Sequence, residues 1–376
     1  MSNDGAISSL SQHYLDKFPQ DREQGYLEAA QIPTKLQKKH ESILGHHAQE
    51  IVSIENCAEA AAQTVIQGSG LRAFIDPLLE PLYFDLVDTL PQGAVTYRVA
   101  YSHDGKYIAT GDDRGNAHVF SAAAKGIVFQ KGVEVKALIP SPVCFTPDGQ
   151  SFIFASGGLV QVCDIATKTV RRSLNHKSGV SALDVSNDYR LLVSGDFCGT
   201  VHIWDLEQGV KTKEFIAGNG YIYDVKISPD SCFAAAICDD DHAYIWNLKT
   251  GEPDAKFDHG KRVRSVAFSS DGKFLVTGGD SGFKVWDRDT SACISYSEAP
   301  GSALTALSMT PDDRWIVTAS NRGSIRFWDR TTGKSHCIVD AHKQTIYSMA
   351  FRPRGGYFAT VSGDQTVRIW SYGLLK

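Results

Sequence analysis

The sequence predicts an all-β fold built from seven like units. Three observations carry this. A strand pattern ending on a large apolar anchor recurs at near-constant spacing. Most recurrences follow a turn of one form, rich in Pro, Asp and Gly. Glycine is abundant, at 33 residues beside 10% aromatics, as a turn-rich β protein requires.

The anchors set the phase. "NAHVFS" ends its alternation at Phe120, "VQVCDI" at Cys163, "TVHIWD" at Trp204 and "AYIWN" at Trp246. "FKVWD", "IRFWD" and "VRIWS" follow at Trp286, Trp328 and Trp370. The successive spacings are 43, 41, 42, 40, 42 and 42 residues. Ahead of the anchors stand turns such as "SHDGK" (102–106), "TPDGQ" (146–150) and "SSDGK". Pro presets φ there and Gly accepts positive φ. Strands such as "YIATG", "LLVSG" and "FLVTG" come next. A period near 42 with four strands per unit is that of a β-propeller blade.

These phased copies resemble the WD-repeat β-propeller family, over roughly residues 82–376. The wording is most similar to the propeller of fungal Tup-type and Groucho-type transcriptional corepressors: "FDLVDTLPQGAV" before "YSHDGKYIATG" resembles their first blade, and "LLVSGDFCGTVHIWDLEQG" their central blades. The resemblance implies a seven-bladed ring.

Only six residues follow Trp370, so the seventh blade has three strands and an open edge. One strand is left over at the other end, "YFDLVDTL" (83–90), with Phe84, Leu86, Val87 and Leu90 among polar residues. It is expected to pair beside Thr366–Trp370 and close the ring. Residues 1–80 carry no repeat and are expected to form a short helical extension, with helices over 21–31 and 41–68. Two readings stand for the longer helix: its Ala-rich stripe packs on the propeller, or it oligomerises the chain, giving a homo-oligomer through the N-terminal helix. The lysines of "KLQKKH" (35–40) read as a solvated helix face ahead of an import signal.

Some WD repeats carry a hydrogen-bonded tetrad that ties a tight turn to the Trp strand. The resemblance implies it in full for the seventh repeat, as His342, Thr360, Asp364 and Trp370. The fifth offers His259, Thr277, Asp280 and Trp286 with a turn one residue short. The third keeps His176, Ser194 and Trp204 but has Cys198 at the Asp position.

Composition narrows the function. A net charge of −5 with 22% charged residues gives no global basic field for DNA or RNA. The N-terminus shows no signal peptide, and no run of 18 apolar residues suggests a membrane span. Eight scattered Cys without CxxC spacing suit a reducing compartment, nuclear or cytoplasmic, not secreted. The motifs GxxxxGK[ST], HExxH and GxSxG are missing from the sequence. His118 and His242 have carboxylates nearby in "GDDRGNAH" and "CDDDHAY", where Asp reads as a turn former. No catalytic residue, metal or cofactor is expected.

What remains is a binding surface. Counting back from the end of each inner strand gives one side chain per blade near the channel mouth: Tyr97, Ser141, Ser181, Tyr223, Arg264, Thr305 and Tyr347. Phe197, Asp239 and Asn321, in the tight turns, should lie nearby. Tyr and Arg dominate binding hot spots, so a rim for peptides of partner proteins is expected. The resemblance implies a non-catalytic corepressor subunit, with DNA-bound transcription factors or histone tails as partners and no direct contact with nucleic acid or membrane. The alternative is a WD-repeat adaptor of another complex, in RNA decay, ubiquitin ligation or trafficking.

Overall fold

The computed structural model describes residues 73–75, 82–122, 127–132, 141–218, 220–298 and 302–374. Every regular element among them is a β-strand. The strands form seven antiparallel sheets, and these make a seven-bladed propeller. The first blade is Thr96–Tyr101, Tyr107–Asp112, Asn116–Ser121 and Ile127–Gly132. The third is Val180–Val185, Leu191–Asp196, Thr200–Asp205 and Val210–Ile216.

The turns between first and second strands explain the phasing. Ser or Thr and an Asp two residues on form one device in six blades. Ser102 Oγ donates to Asp104 at 2.7 Å, and Ser186 Oγ to Asp188 at 2.6 Å. Thr146, Ser228, Ser269 and Thr310 repeat it. The same oxygen accepts the backbone N–H five residues on, as at Tyr107 and Leu191. A local side-chain bond thus fixes the chain reversal. At the next, tighter turn, glycine is required. Gly199 has φ +81°, and a Cβ there would stand 2.1 Å from the Gly218 carbonyl oxygen.

The core lies between blades rather than in one centre. A cluster fills each of the seven gaps between neighbouring blades. Between the sixth and seventh, Phe327, Phe358 and Trp370 pack with Phe84. Between the seventh and first, Val367 and Val361 meet Ile108 and Phe120. Sheets that bury both faces against neighbours read as near-continuous apolar runs, which is the pattern of "LLVSG" and "FAAAI".

The seventh blade joins Ile346–Phe351, Tyr357–Ser362 and Thr366–Leu374 to Leu82–Pro91, from the far end of the described chain. Leu86 stands opposite Trp370, and Leu90 opposite Val367. Val87 does not join the apolar series as expected. It is the extra residue of a bulge between Leu86 and Asp88, and it is exposed. A further strand, Ala73–Ile75, lies antiparallel to Ser335–Asp340 and gives the sixth blade a fifth member. It falls within residues 1–80, the segment expected as a helical extension, but beyond the helices expected there. The helices expected over 21–31 and 41–68 lie outside the described residues.

Candidate functional site: the rim of the channel

Five inner strands share one irregularity. The register skips Tyr97 between Thr96 and Arg98, Ser181 between Val180 and Ala182, and Arg264 between Val263 and Ser265. It skips Thr305 and Tyr347 in the same way. A bulged residue is left out of the ladder and its side chain is re-aimed. In these five blades the fold therefore turns one residue out of the sheet near the start of the inner strand. Tyr223 takes the corresponding place in the fourth blade, just ahead of Asp224–Ile227, with its N–H bonded to the Ile237 carbonyl.

The aromatic members meet in two groups. Tyr97 and Tyr347 have ring centroids 4.5 Å apart across the junction of first and seventh blades. Phe197 stacks on Tyr221 at 5.1 Å, and Tyr221 contacts Tyr223 at 5.0 Å. Tyr223 donates its hydroxyl to Asp239 at 3.1 Å. The Arg264 guanidinium stands 6.0 Å from the Tyr223 ring and pairs with Asp280 at 3.0 Å. Arg262 approaches Asp239 at 3.6 Å. Burial, and then Asp239, raise the Tyr223 pKa; burial, and then Tyr347, raise that of Tyr97. Both hydroxyls are neutral donors at ordinary pH.

Inside the mouth, Arg98 reaches from the first blade across to the fourth and donates to the Tyr223 carbonyl at 2.5 Å. A cavity of about 120 Å³ is lined by Arg98, Asp224, Lys226, Arg264, Thr305 and Tyr347 among others.

Two expected members are not on the surface. Ser141 and Ser181 are buried, and Ser181 Oγ donates to the Gly195 carbonyl at 3.2 Å. Neither offers a side chain to a partner. Thr305 is half-buried and donates to the Ile346 carbonyl at 2.5 Å, so it links sixth and seventh blades. Asn321 and Asp239 are exposed, as are Arg262 and Asp280. Tyr221 and Arg98 were not singled out from sequence. Each is one or two residues from a counted position, in "YIYD" and "TYRV", and a search for alternating aromatics around Tyr223 finds Tyr221.

The tetrad residues of the seventh blade are joined to one another. His342 Nε2 meets Thr360 Oγ1 at 2.7 Å, and its Nδ1 meets Asp364 at 2.9 Å. Trp370 Nε1 donates to Thr360 Oγ1 at 2.9 Å. In the fifth blade His259, Thr277 and Trp286 are joined, but Asp280 turns away to Arg264. In the third, His176 and Trp204 each meet Ser194 Oγ at 2.7 Å.

The carboxylates near His118 and His242 serve turns. Asp112 accepts the N–H groups of Arg114 and Asn116, and Asp240 accepts that of His242 and the Tyr244 hydroxyl.

Comparison with known proteins agrees with this architecture. The family model "WD domain, G-beta repeat" matches residues 168–205, 209–247, 251–287, 292–329 and 333–371, about half of the chain. The chain belongs to the WD-repeat family. It is 28% identical over 245 residues to apoptotic protease-activating factor 1 of Rattus norvegicus, covering 62% of this chain and 19% of that protein. It is 26% identical over 227 residues to Protein groucho of Drosophila melanogaster, covering 58% of this chain and 30% of that one. WD repeat-containing protein SL1-17 of Schistosoma mansoni is 27% identical over 153 residues, 40% of this chain and 50% of its own length. The matched part of the chain thus spans half or less of each relative.

Proposed function

We propose that the protein is a non-catalytic interaction scaffold that takes peptide segments of partner proteins on the channel rim. The observation that carries this is the row Phe197, Tyr221, Tyr223 and Asp239, with Arg264 and Arg262 beside it. Stiff aromatic rings offer contact area at little entropic cost, and the mixed charges fix register. Tyr97, Tyr347 and Asn321 extend the surface toward the first, sixth and seventh blades. The segment that fits has an apolar anchor and basic residues, which meet Asp239 and Asp280.

Within that reading the protein is a Tup-like corepressor subunit, nuclear, binding transcription factors or histone tails without touching DNA. The likeness to Protein groucho supports this. A second reading, an adaptor of another complex, is favoured by the higher identity and coverage with apoptotic protease-activating factor 1. Self-association through the N-terminal region belongs to the first reading.

Affinity purification of wild type against Tyr223→Ala and Tyr347→Ala tests the surface. Each variant should lose at least about 2 kcal/mol of partner binding, roughly 30-fold, if it removes a hot spot, with unchanged melting. Variants that fold and keep every partner would refute the rim as the binding face. Recovery of transcription factors favours the corepressor; one stoichiometric complex lacking them favours the adaptor.

A further inference from the structure

The third blade departs from the seventh in a way that leaves ligand atoms free. Aligned on their anchors, Cys198 stands at the position of Asp364, and His202 at that of Arg368. Without a carboxylate at 198, His176 Nδ1 has lost the partner that His342 Nδ1 keeps. His176 Nδ1 is buried and makes no hydrogen bond, and the same holds for His202 Nδ1. His202 is 5% exposed, so its unpartnered Nδ1 sits in the core of a blade. Unpaired buried polar groups cost stability, and two adjacent ones call for an explanation.

Strand register brings a third group to them. Ser194, His202 and Glu214 lie side by side across three strands. Asp196, two residues beyond Ser194, is buried and accepts the N–H groups of Cys198 and Thr200 on one oxygen, Oδ1. One ligand atom from each of His176, Asp196 and His202 lies within 4.8 Å of the others. We propose that His176, Asp196 and His202 bind a divalent ion of the zinc type.

The outer contacts suit this. His176 Nε2 is held by Ser194, which is itself held by Trp204. His202 Nε2 stands 3.3 Å from a Glu214 carboxylate oxygen. A ligating imidazole commonly donates its other N–H to a carboxylate or hydroxyl, which fixes its tautomer. Two imidazoles and a carboxylate are a zinc donor set. Ligand atoms around tetrahedral zinc, with bonds near ~2.1 Å, stand about 3.4 Å apart. Binding therefore draws the three together by up to about 1.4 Å. The two rings are stacked, with centroids 4.2 Å apart and planes 16° from parallel. Each lone pair lies in its ring plane, so one ring must turn to share the ion. His202 is that ring, since its 3.3 Å contact with Glu214 is looser than the 2.7 Å hold on His176. The ion would brace the turn that carries Phe197, one residue from Asp196.

Zn²⁺ titration of the full chain by calorimetry, with Co²⁺ absorption as a geometric probe, tests the site. Wild type should bind one equivalent at micromolar or lower concentration, with the visible bands of tetrahedral Co²⁺ displaced by Zn²⁺. His202→Arg installs the seventh blade's residue, and Asp196→Asn keeps an oxygen for the turn. Each should lower affinity about 100-fold or more, while circular dichroism and melting show a folded chain. No stoichiometric binding by wild type, or wild-type binding by both folded variants, would overturn the proposal.

Discussion

His342 and Asp364 face each other at 2.9 Å in the seventh blade, whereas the fifth blade's Asp280 leaves His259 and pairs with Arg264. The sequence offers the same four residue types in both places. One residue fewer in the fifth turn changes where the carboxylate points. Asp364→Ala leaves the buried His342 Nδ1 only a 3.3 Å contact with Thr366 Oγ1 and should cost about 1–3 kcal/mol in urea unfolding. Asp280→Ala removes an exposed pair and should cost within about 0.5 kcal/mol. Equal costs would mean that the tetrad's carboxylate contributes nothing special.

The seventh blade takes its outer strand from the opposite end of the described chain, and we infer that this pairing holds the ring shut. Phe84 is 5% exposed, with its ring centroid 4.6 Å from that of Phe327. Phe84→Ala should cost about 3–5 kcal/mol. Deleting residues 82–91 should abolish cooperative unfolding altogether, because it leaves an open edge and uncovers the gap between sixth and seventh blades. A truncated chain that melts like the wild type would show the strand to be dispensable.

Burial lowers the pKa of five imidazoles: His118, His202 and His342, His259 to about 4, and His176 to about 3. The unfolded chain takes up these protons below its ordinary pKa near ~6.5, and the folded chain does not. Stability is therefore fully present above that pH and is lost as pH falls toward 4 and then 3. Asp364 adds to the loss lower down. Burial opposes its charge, but the bonds from His342 and Thr366 outweigh that and hold its pKa well below the ordinary value. Denaturant midpoints should be flat from pH 8 to about 7 and fall steadily below about 6.5. A midpoint that rose on acidification to pH 5 would contradict the account.

Much of this fold was legible because each blade repeats the same local instructions. The Ser or Thr bonded to Asp at a turn, the Trp bonded to Ser194, Thr277, Thr318 or Thr360, and the glycine of the tight turn are all short-range devices. What failed depended on neighbours distant in sequence. Ser181 fell on a bulge and Ser141 just ahead of the strand Val143–Phe145, but both are buried. Ala73–Ile75 is three residues long, and only its partner Ser335–Asp340 makes it a strand. Val87 broke the alternation because a bulge shifted the register by one, which apolar spacing does not reveal. The rim was half legible: the counting rule landed on five bulged residues without knowing they were bulges, and it passed over Tyr221, which lies outside the inner strand.

The central functional claim is that partners sit on the rim and not on the outer edges of the blades, where Tyr296 is 68% exposed. Site-specific photocrosslinking separates the two. A photoreactive phenylalanine analogue placed at Phe197 keeps an aromatic ring beside Tyr221; the same analogue at Tyr296 samples the outer strand of the fifth blade. The account predicts partner adducts from position 197, abolished by Tyr223→Ala, and few from 296. Adducts from 296 with none from 197 would contradict it.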